Sequence, residues 1–345
     1  MAANAPSLSL PARSGPQAGA GGVRSRRLRA LALPVAVSVV AVAAVVWWAA
    51  NQQLPPLPAA DVALPRMGAA LLLYALATML RGERWLRLRR DSGHACSRTD
   101  AYALTTVGYM GNNALPARAG DILKAVFTAK RSSGATSDAV GTLVAERLLD
   151  VAALVVVFGV LVTTLRLPLG VPGWVLLAVG AGVLIAGAAA ALLGRRTAAG
   201  QRLQALVASV LAPTRRLASP VGGSLLALSV VLWLVEGSIY AVLGAVAGLH
   251  LSLLDGLYIM ALANLVALVP AAPGYVGTFD AAIILGVRLV AGGTQAAALA
   301  YAVIVRFTLF VPITLVGLAA LIIRYGGIAR LRAALAAPPA SAAQV

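Results

Sequence analysis

Residues 101–130 read AYALTTVGYMGNNALPARAGDILKAVFTAK, and the punctuation of this stretch decides the fold. Both ends are apolar enough for helices, but the middle holds Asn112, Asn113, Pro116, Arg118, Gly120 and Asp121. Proline cannot continue a helix, and polar side chains resist hydrocarbon, so one uninterrupted span is excluded. Cations flank the stretch on both sides, which predicts that it enters and leaves from the same, cytoplasmic, face of a membrane. A second stretch, LLDGLYIMALANLVALVPAAPGYVGTFDAAIILGVRLV over 253–290, is interrupted by Pro270, Pro273, Gly274, Gly277 and Asp280, and parity requires it to enter and leave from outside. Irregular backbone is not tolerated against lipid, so both stretches are expected to be re-entrant hairpins whose tips are enclosed by protein or line a wet cavity.

The composition around them agrees. The 345 residues are 60% hydrophobic and 11% charged, with a formal charge of +17. Soluble chains carry about 25% charged residues, so this is the layout of a polytopic helical membrane protein. The arginines gather between apolar runs, where they fix topology and meet anionic lipid; no basic helix interleaved with aromatics points to nucleic acid. A single cysteine, Cys96, and two histidines, His94 and His250, exclude a disulfide framework and a zinc cluster, and no metal or cofactor is expected.

Six full spans are predicted: about 31–50, 62–80, 139–165, 171–193, 221–249 and 295–323. Trp47 and Trp48 suit interface anchoring, which favours a retained first span over a cleaved signal peptide. The basic stretch holding Arg81, Arg84, Arg87, Arg89, Arg90 and Arg98 reads as a cytoplasmic loop, with Arg84 and Trp85 as interface anchors. The loop from Arg195 to Arg216 reads as cytoplasmic too, with a short amphipathic helix around 203–211. The chain divides into a disordered basic cytoplasmic tail over 1–30, a transmembrane domain over 31–325 and a short cytoplasmic tail over 326–345, with both termini inside. Span two, hairpin and span three (about 62–165) match span five, hairpin and span six (about 221–323) in opposite orientation. The expected architecture is therefore all-α, with two oppositely oriented hairpins in an inverted repeat, an arrangement that points to a transport site near the midplane.

The chemistry concentrates at the breaks and in the spans beside them. Glu146 and Asp150 share one helix face, where like charges need cations to answer them; Arg147 is placed to answer Asp150, and Arg118 or Arg306 to answer Glu146. The bland alternative is a set of buried ion pairs that only clamp helices. Asn113, Pro116, Arg118 and Asp121 lie where the chain leaves a turn and starts a helix. Free backbone N–H groups, the helix dipole and the Arg118 guanidinium there suit a phosphate, while the alternative has Asp121 capping the helix and Arg118 reaching the headgroups. Pro273, Gly274 and Gly277 offer the same two readings in the second break. Glu236, alone in span five, would titrate, pair with Arg306 or clamp a helix.

These segments resemble the lysylphosphatidylglycerol synthase transmembrane region, a flippase-like integral membrane domain family. The resemblance is carried by Gly108 to Asp121, by Glu146-Arg147-Leu148-Leu149-Asp150, by Pro273 to Asp280, and by Arg306 ahead of Pro312 and Gly317, and it covers about residues 35–325. Asp121 and Asp280 stand where the family usually has glutamate. The resemblance implies a membrane domain that moves a lipid between leaflets. In the aminoacyl-phosphatidylglycerol synthases it precedes a soluble aminoacyltransferase domain, for which the stretch after the last span leaves no room, so synthase activity is not expected.

The function expected is thus a plasma-membrane lipid transporter, not an enzyme, that takes an anionic phospholipid or a polyprenyl-phosphate-linked lipid. Arg118 and Arg306 would hold the phosphate, with Glu146, Asp150 and Asp280 orienting those cations or meeting a cationic head. No G-x-x-x-x-G-K-[ST] sequence is present, so movement would be downhill or ion-coupled, with Glu146, Asp150 or Glu236 carrying protons. The alternatives are a membrane enzyme acting on lipid-linked substrates, with Asp121 or Glu146 as base, and an accessory subunit for a separate lipid-modifying enzyme.

Overall fold

The computed structural model describes residues 60–115, 118–131, 136–165, 219–267 and 273–327, all of them helix, turn or short connection. The tail over 1–30, the first and fourth expected spans, the amphipathic loop helix, Pro116, Pro270 and the C-terminal tail from 328 lie outside the described residues. In chain order the helices are α1 (Ala60–Asp91), α2 (Arg98–Ala114), α3 (Ala119–Arg131), α4 (Thr136–Leu165), α5 (Pro220–Gly244), α6 (Leu253–Val266), α7 (Thr278–Val290) and α8 (Gln295–Tyr325). By length and composition α1, α5 with its 3₁₀ extension to Ala247, and α8 can cross a membrane. They leave Leu72, Leu315 and Ile323 exposed, as lipid-facing positions are.

Local chemistry sets the helix ends. Ser97 caps α2 by accepting from the Asp100 amide at 3.1 Å. Ser252 and Asp255 cap α6 reciprocally: Ser252 Oγ accepts from the Asp255 amide at 3.2 Å, and the Asp255 carboxylate from the Ser252 amide at 2.9 Å. Thr294 caps α8, which ends at Gly326 with φ 74°.

The second expected span continues past Leu80 as helix. Buried Ala70, Tyr74, Ala77, Arg81, Arg84, Trp85 and Leu88 recur every three or four residues along α1, so one stripe runs through the arginine-rich segment. Arg81, Arg84 and Arg89 are 4%, 0% and 1% exposed. The reading of this segment as a loop, with Arg84 and Trp85 as interface anchors, is corrected: Arg81 to Arg90 belong to the last part of α1, Arg98 opens α2, and Arg84 and Trp85 lie in the interior.

Each interrupted stretch is two helices packed on one another, α2 on α3 and α6 on α7. The helices after each break recur at one spacing: α3 and α7 are 13 residues each, and α3 to α7 and α4 to α8 start 159 positions apart (119 to 278, 136 to 295). The blocks also dock reciprocally, α2 against α8 and α6 against α4, with α1 against α5 between them. Small residues permit this closeness. A Cβ on Gly120 would lie 2.0 Å from the Gly108 carbonyl oxygen, one on Gly256 2.5 Å from the Ala241 amide, and one on Gly317 2.4 Å from the Thr106 carbonyl oxygen.

Candidate functional site

The two breaks meet. Asn113, in the last turn of α2, donates to Thr314 Oγ1 at 2.9 Å and to the Phe310 carbonyl at 3.4 Å, while Arg306, one turn earlier on α8, donates to the Gly274 carbonyl at 2.9 Å. Residues 306 to 314 straddle the centre of α8, a helix of 31 residues and about 45 Å. Arg118 spans the junction, donating from Nη2 to the Ala267 carbonyl at 2.9 Å with its guanidinium 5.4 Å from the Tyr275 ring centre. Both residues of this contact hold a left-handed backbone, Arg118 at φ 55° and Tyr275 at φ 54°. Non-glycine residues adopt that region at a cost, and it clusters at working sites.

Each break is pinned by one arginine. Asp280, in the first turn of α7, accepts from the Gly277 amide at 3.0 Å and receives Arg306 on both oxygens, at 2.7 Å each. Asp121, in the first turn of α3, receives Arg147 at 2.7 and 2.9 Å and exchanges bonds with Asn112. The Arg306 pair uses two nitrogens, Nε and Nη2, a fork that fixes orientation as well as charge, while Arg147 reaches both oxygens of Asp121 from Nη2 alone. Asp280 therefore caps its own helix start, Asp121 ties its helix back to Asn112 of α2, and both hold the following long helix to the break.

The remaining interior charges answer each other. Glu146 pairs with Lys124 at 2.8 Å and Arg84 at 3.5 Å; Asp150 pairs with Arg84 at 2.7 Å and Arg147 at 3.3 Å. Arg84 also donates to Ser229 at 2.8 Å. Glu236 pairs with Arg81, whose guanidinium lies 5.2 Å from the Tyr109 ring and 5.7 Å from the Trp233 ring. The expectation that Arg118 or Arg306 answers Glu146, and that Arg306 pairs with Glu236, is corrected: the partners are Lys124, Arg84 and Arg81. Lys124 and Arg81 were missed by the sequence reading. Lys124 stands one turn after Asp121, a spacing that puts it on the same face and would have revealed it.

Between these elements lies a partly open cavity of about 100 Å³, walled by Arg81, Arg118, Arg147, Asp150 and Glu236 together with Asn112, Asn113 and the rings of Tyr74, Tyr109, Trp233 and Tyr275. One water needs about 10–15 Å³ measured in this way, so the space admits several waters or a small polar group. Of the residues singled out from sequence, Asn113, Arg118, Arg147, Asp150 and Glu236 line it. Asp121, Glu146, Asp280 and Arg306 stand behind the wall and hold it, and Gly274 and Gly277 shape the second turn. Pro273 opens the short 3₁₀ turn Pro273–Tyr275.

Residues 32–317 match the model of the lysylphosphatidylglycerol synthase transmembrane region. The chain belongs to that family. Comparison with curated proteins and with solved structures finds no match. Membership makes this a membrane protein with a lipid-related role. In this family member the matched region takes in both breaks, both arginine pins and the cavity between them. Among the described residues no group of three or more His, Cys, Asp or Glu side chains could hold a metal ion.

Proposed function

We propose that this protein is a lipid flippase-like transporter of the plasma membrane, in which an anionic headgroup crosses between leaflets through the space where the two breaks meet. A headgroup crosses hydrocarbon slowly because its charge must be desolvated, and a polar passage that substitutes for water lowers that barrier. The carrying observation is Arg118: it faces the cavity at the junction of the two breaks, and among the described residues no carboxylate pairs with it. Support for the helical hairpins as re-entrant, and for the two blocks as inverted repeats, comes from the 159-residue offset shared by the helices after each break and from the reciprocal docking. Both termini are then cytoplasmic. The interior carboxylates orient the arginines around the passage, and Glu236, on the cavity wall beside Arg81, is the acid best placed to couple movement to protons.

The test is a leaflet-resolved assay. Purified full-length protein is reconstituted into vesicles carrying acyl-labelled phosphatidylglycerol, and the label exposed to an impermeant quencher is followed with time. The native protein is expected to expose the inner-leaflet label, and Arg118→Ala to slow it by about tenfold or more, the loss of one charged hydrogen-bonding partner. A new chemical species in place of movement would make the protein an enzyme. No movement and no product would leave an accessory role.

A further inference from the structure

We infer that the central site takes a single phosphodiester, a group of one negative charge, and is not built for a head that carries an ammonium or a diphosphate. This rests on the transport reading above and sharpens it to a substrate class. All 11 acidic residues of the sequence fall within the described segments, so every acidic side chain that could answer a cation of the cavity wall is in view. Asp121, Glu146, Asp150, Glu236 and Asp280 are each bonded to an internal arginine or lysine. Against these five stand Arg81, Arg84, Arg118, Lys124, Arg147 and Arg306, one cation more, and the one without a carboxylate is Arg118.

The repeat isolates the same residue. At the 159-residue offset, Asp121 and Arg147 correspond to Asp280 and Arg306, so the pins belong to both halves, but Arg306 commits its Nε to Asp280 whereas Arg147 leaves its Nε unbonded. Lys124, Glu146 and Asp150 correspond to Ile283, Val305 and Leu309, an extra charged cluster that Arg84 closes from α1. Arg118 corresponds to Gly277 and is the asymmetric charge left open.

The donors match a phosphodiester. Arg118 Nε, Arg147 Nε and Trp233 Nε1 are buried without a hydrogen-bond partner, and all three residues line the cavity. Two non-bridging oxygens sharing one charge would engage them and neutralise Arg118. A diphosphate would bring further charge with no second open cation among the described residues of the wall to meet it, which a poorly solvated site strongly disfavours. An ammonium is served less well: the lining carboxylate oxygen without a hydrogen bond, Asp150 Oδ1, already lies 2.7 Å from Arg84, and of the lining rings Tyr74 is left, since Tyr109 and Trp233 face Arg81, Tyr275 faces Arg118, and Phe279 and Phe310 face Arg306.

The test is calorimetric titration of the detergent-purified full chain with soluble short-chain probes. These are dihexanoyl phosphatidylglycerol and a short prenyl phosphoryl hexose (one phosphodiester each), lysyl-substituted dihexanoyl phosphatidylglycerol, dihexanoyl phosphatidylcholine and farnesyl diphosphate. Either or both singly charged phosphodiesters should bind at least about tenfold more tightly than the other three, and their ranking identifies the lipid backbone. Arg118→Ala should abolish the preference and Arg118→Lys should keep it. Trp233→Phe, which removes one donor and little volume, should weaken phosphodiester binding about threefold to tenfold and keeps the test open if Arg118→Ala does not fold. Equal binding of all probes, tighter binding of the lysyl or diphosphate probe, or a preference that survives Arg118→Ala or is untouched by Trp233→Phe would overturn the inference. Vesicle assays separate the two layers. Lipid movement without this charge preference leaves the transport reading standing and removes the inference, while selective binding without movement does the reverse.

Discussion

Arg306 and Asp280 are joined by two bonds of 2.7 Å each, from Nε and Nη2, and at the same sequence separation of 26 residues Arg147 reaches both oxygens of Asp121 from its Nη2. In both blocks the aspartate sits in the first turn after the break and the arginine in the middle of the next long helix. The pair does for the broken segment what a backbone hydrogen-bond ladder does for a continuous helix: it fixes where the chain restarts.

Removing one partner leaves the other charge in a poorly solvated place. Arg306→Ala and Asp280→Asn are each expected to destabilise the protein by about 2–4 kcal/mol, somewhat below the loss for a fully buried pair because both side chains keep some exposure. Thermal unfolding in detergent measures this, and the exchanged double variant Arg306→Asp/Asp280→Arg should recover part of the loss. Single variants as stable as the native chain would remove the pinning role.

The Glu146 cluster has a direction built into it. Glu146→Gln leaves Lys124 without its carboxylate and weakens the hold on Arg84, whereas Lys124→Met removes one of two cations around a carboxylate that keeps Arg84. The glutamate variant should therefore be the less stable of the two, by about 1–3 kcal/mol. Unfolding of both variants in the same detergent decides it, and the reverse order contradicts the pairing.

Backbone contact predicts a contrast between glycines. Gly120→Ala puts a methyl group 2.0 Å from the Gly108 carbonyl and should cost about 3 kcal/mol or prevent folding. Gly68→Ala meets nothing within 4 Å on an exposed helix face and should be neutral or stabilise by up to about 1 kcal/mol. Comparable losses at both positions would argue against the close packing of α2 on α3.

At the start of α2, outside the helices long enough to span, Asp100 binds Ser97, Arg131 and Arg324 and ties α8 to the hairpin. Partial burial raises its pKa, but the bonds from Ser97 and Arg324 and the charges of Arg131 and Arg324 outweigh this and hold the carboxyl below its ordinary range. Its folded pKa is depressed, so its contribution is present above the ordinary carboxylate range and is lost as pH falls below about 4. Thermal unfolding as a function of pH should show a loss at the acid end that Asp100→Asn lacks; identical acid profiles contradict the tie.

How much of this could be read from the letters differs by feature. The breaks were legible because proline, glycine and acid in the middle of apolar runs have no place in a continuous span, and Asp280, Arg306, Asp121 and Arg147 stood out there as charges. The interior role of Arg81 and Arg84 was not. A rule that assigns arginines after an apolar run to a loop ignores that Ala77, Arg81, Arg84 and Leu88 continue the three-and-four spacing of the buried stripe. Partner choice was harder still, since Glu146 is answered from α1 and α3, which sequence separation alone does not bring together. The equal 26-residue spacing of the two pins was present in the sequence, but it sits after breaks of unequal length.

The central claim is that the tips of both interrupted segments meet inside the membrane. Single spin labels at Asn113→Cys and Thr278→Cys, in a Cys96→Ser background reconstituted into lipid, measure the depth of each tip by collision with oxygen against a water-soluble relaxer. Both labels are predicted to lie near the bilayer centre, about 15 Å from either boundary of the hydrocarbon core. A label at either tip that relaxes as one in bulk water does would contradict the account.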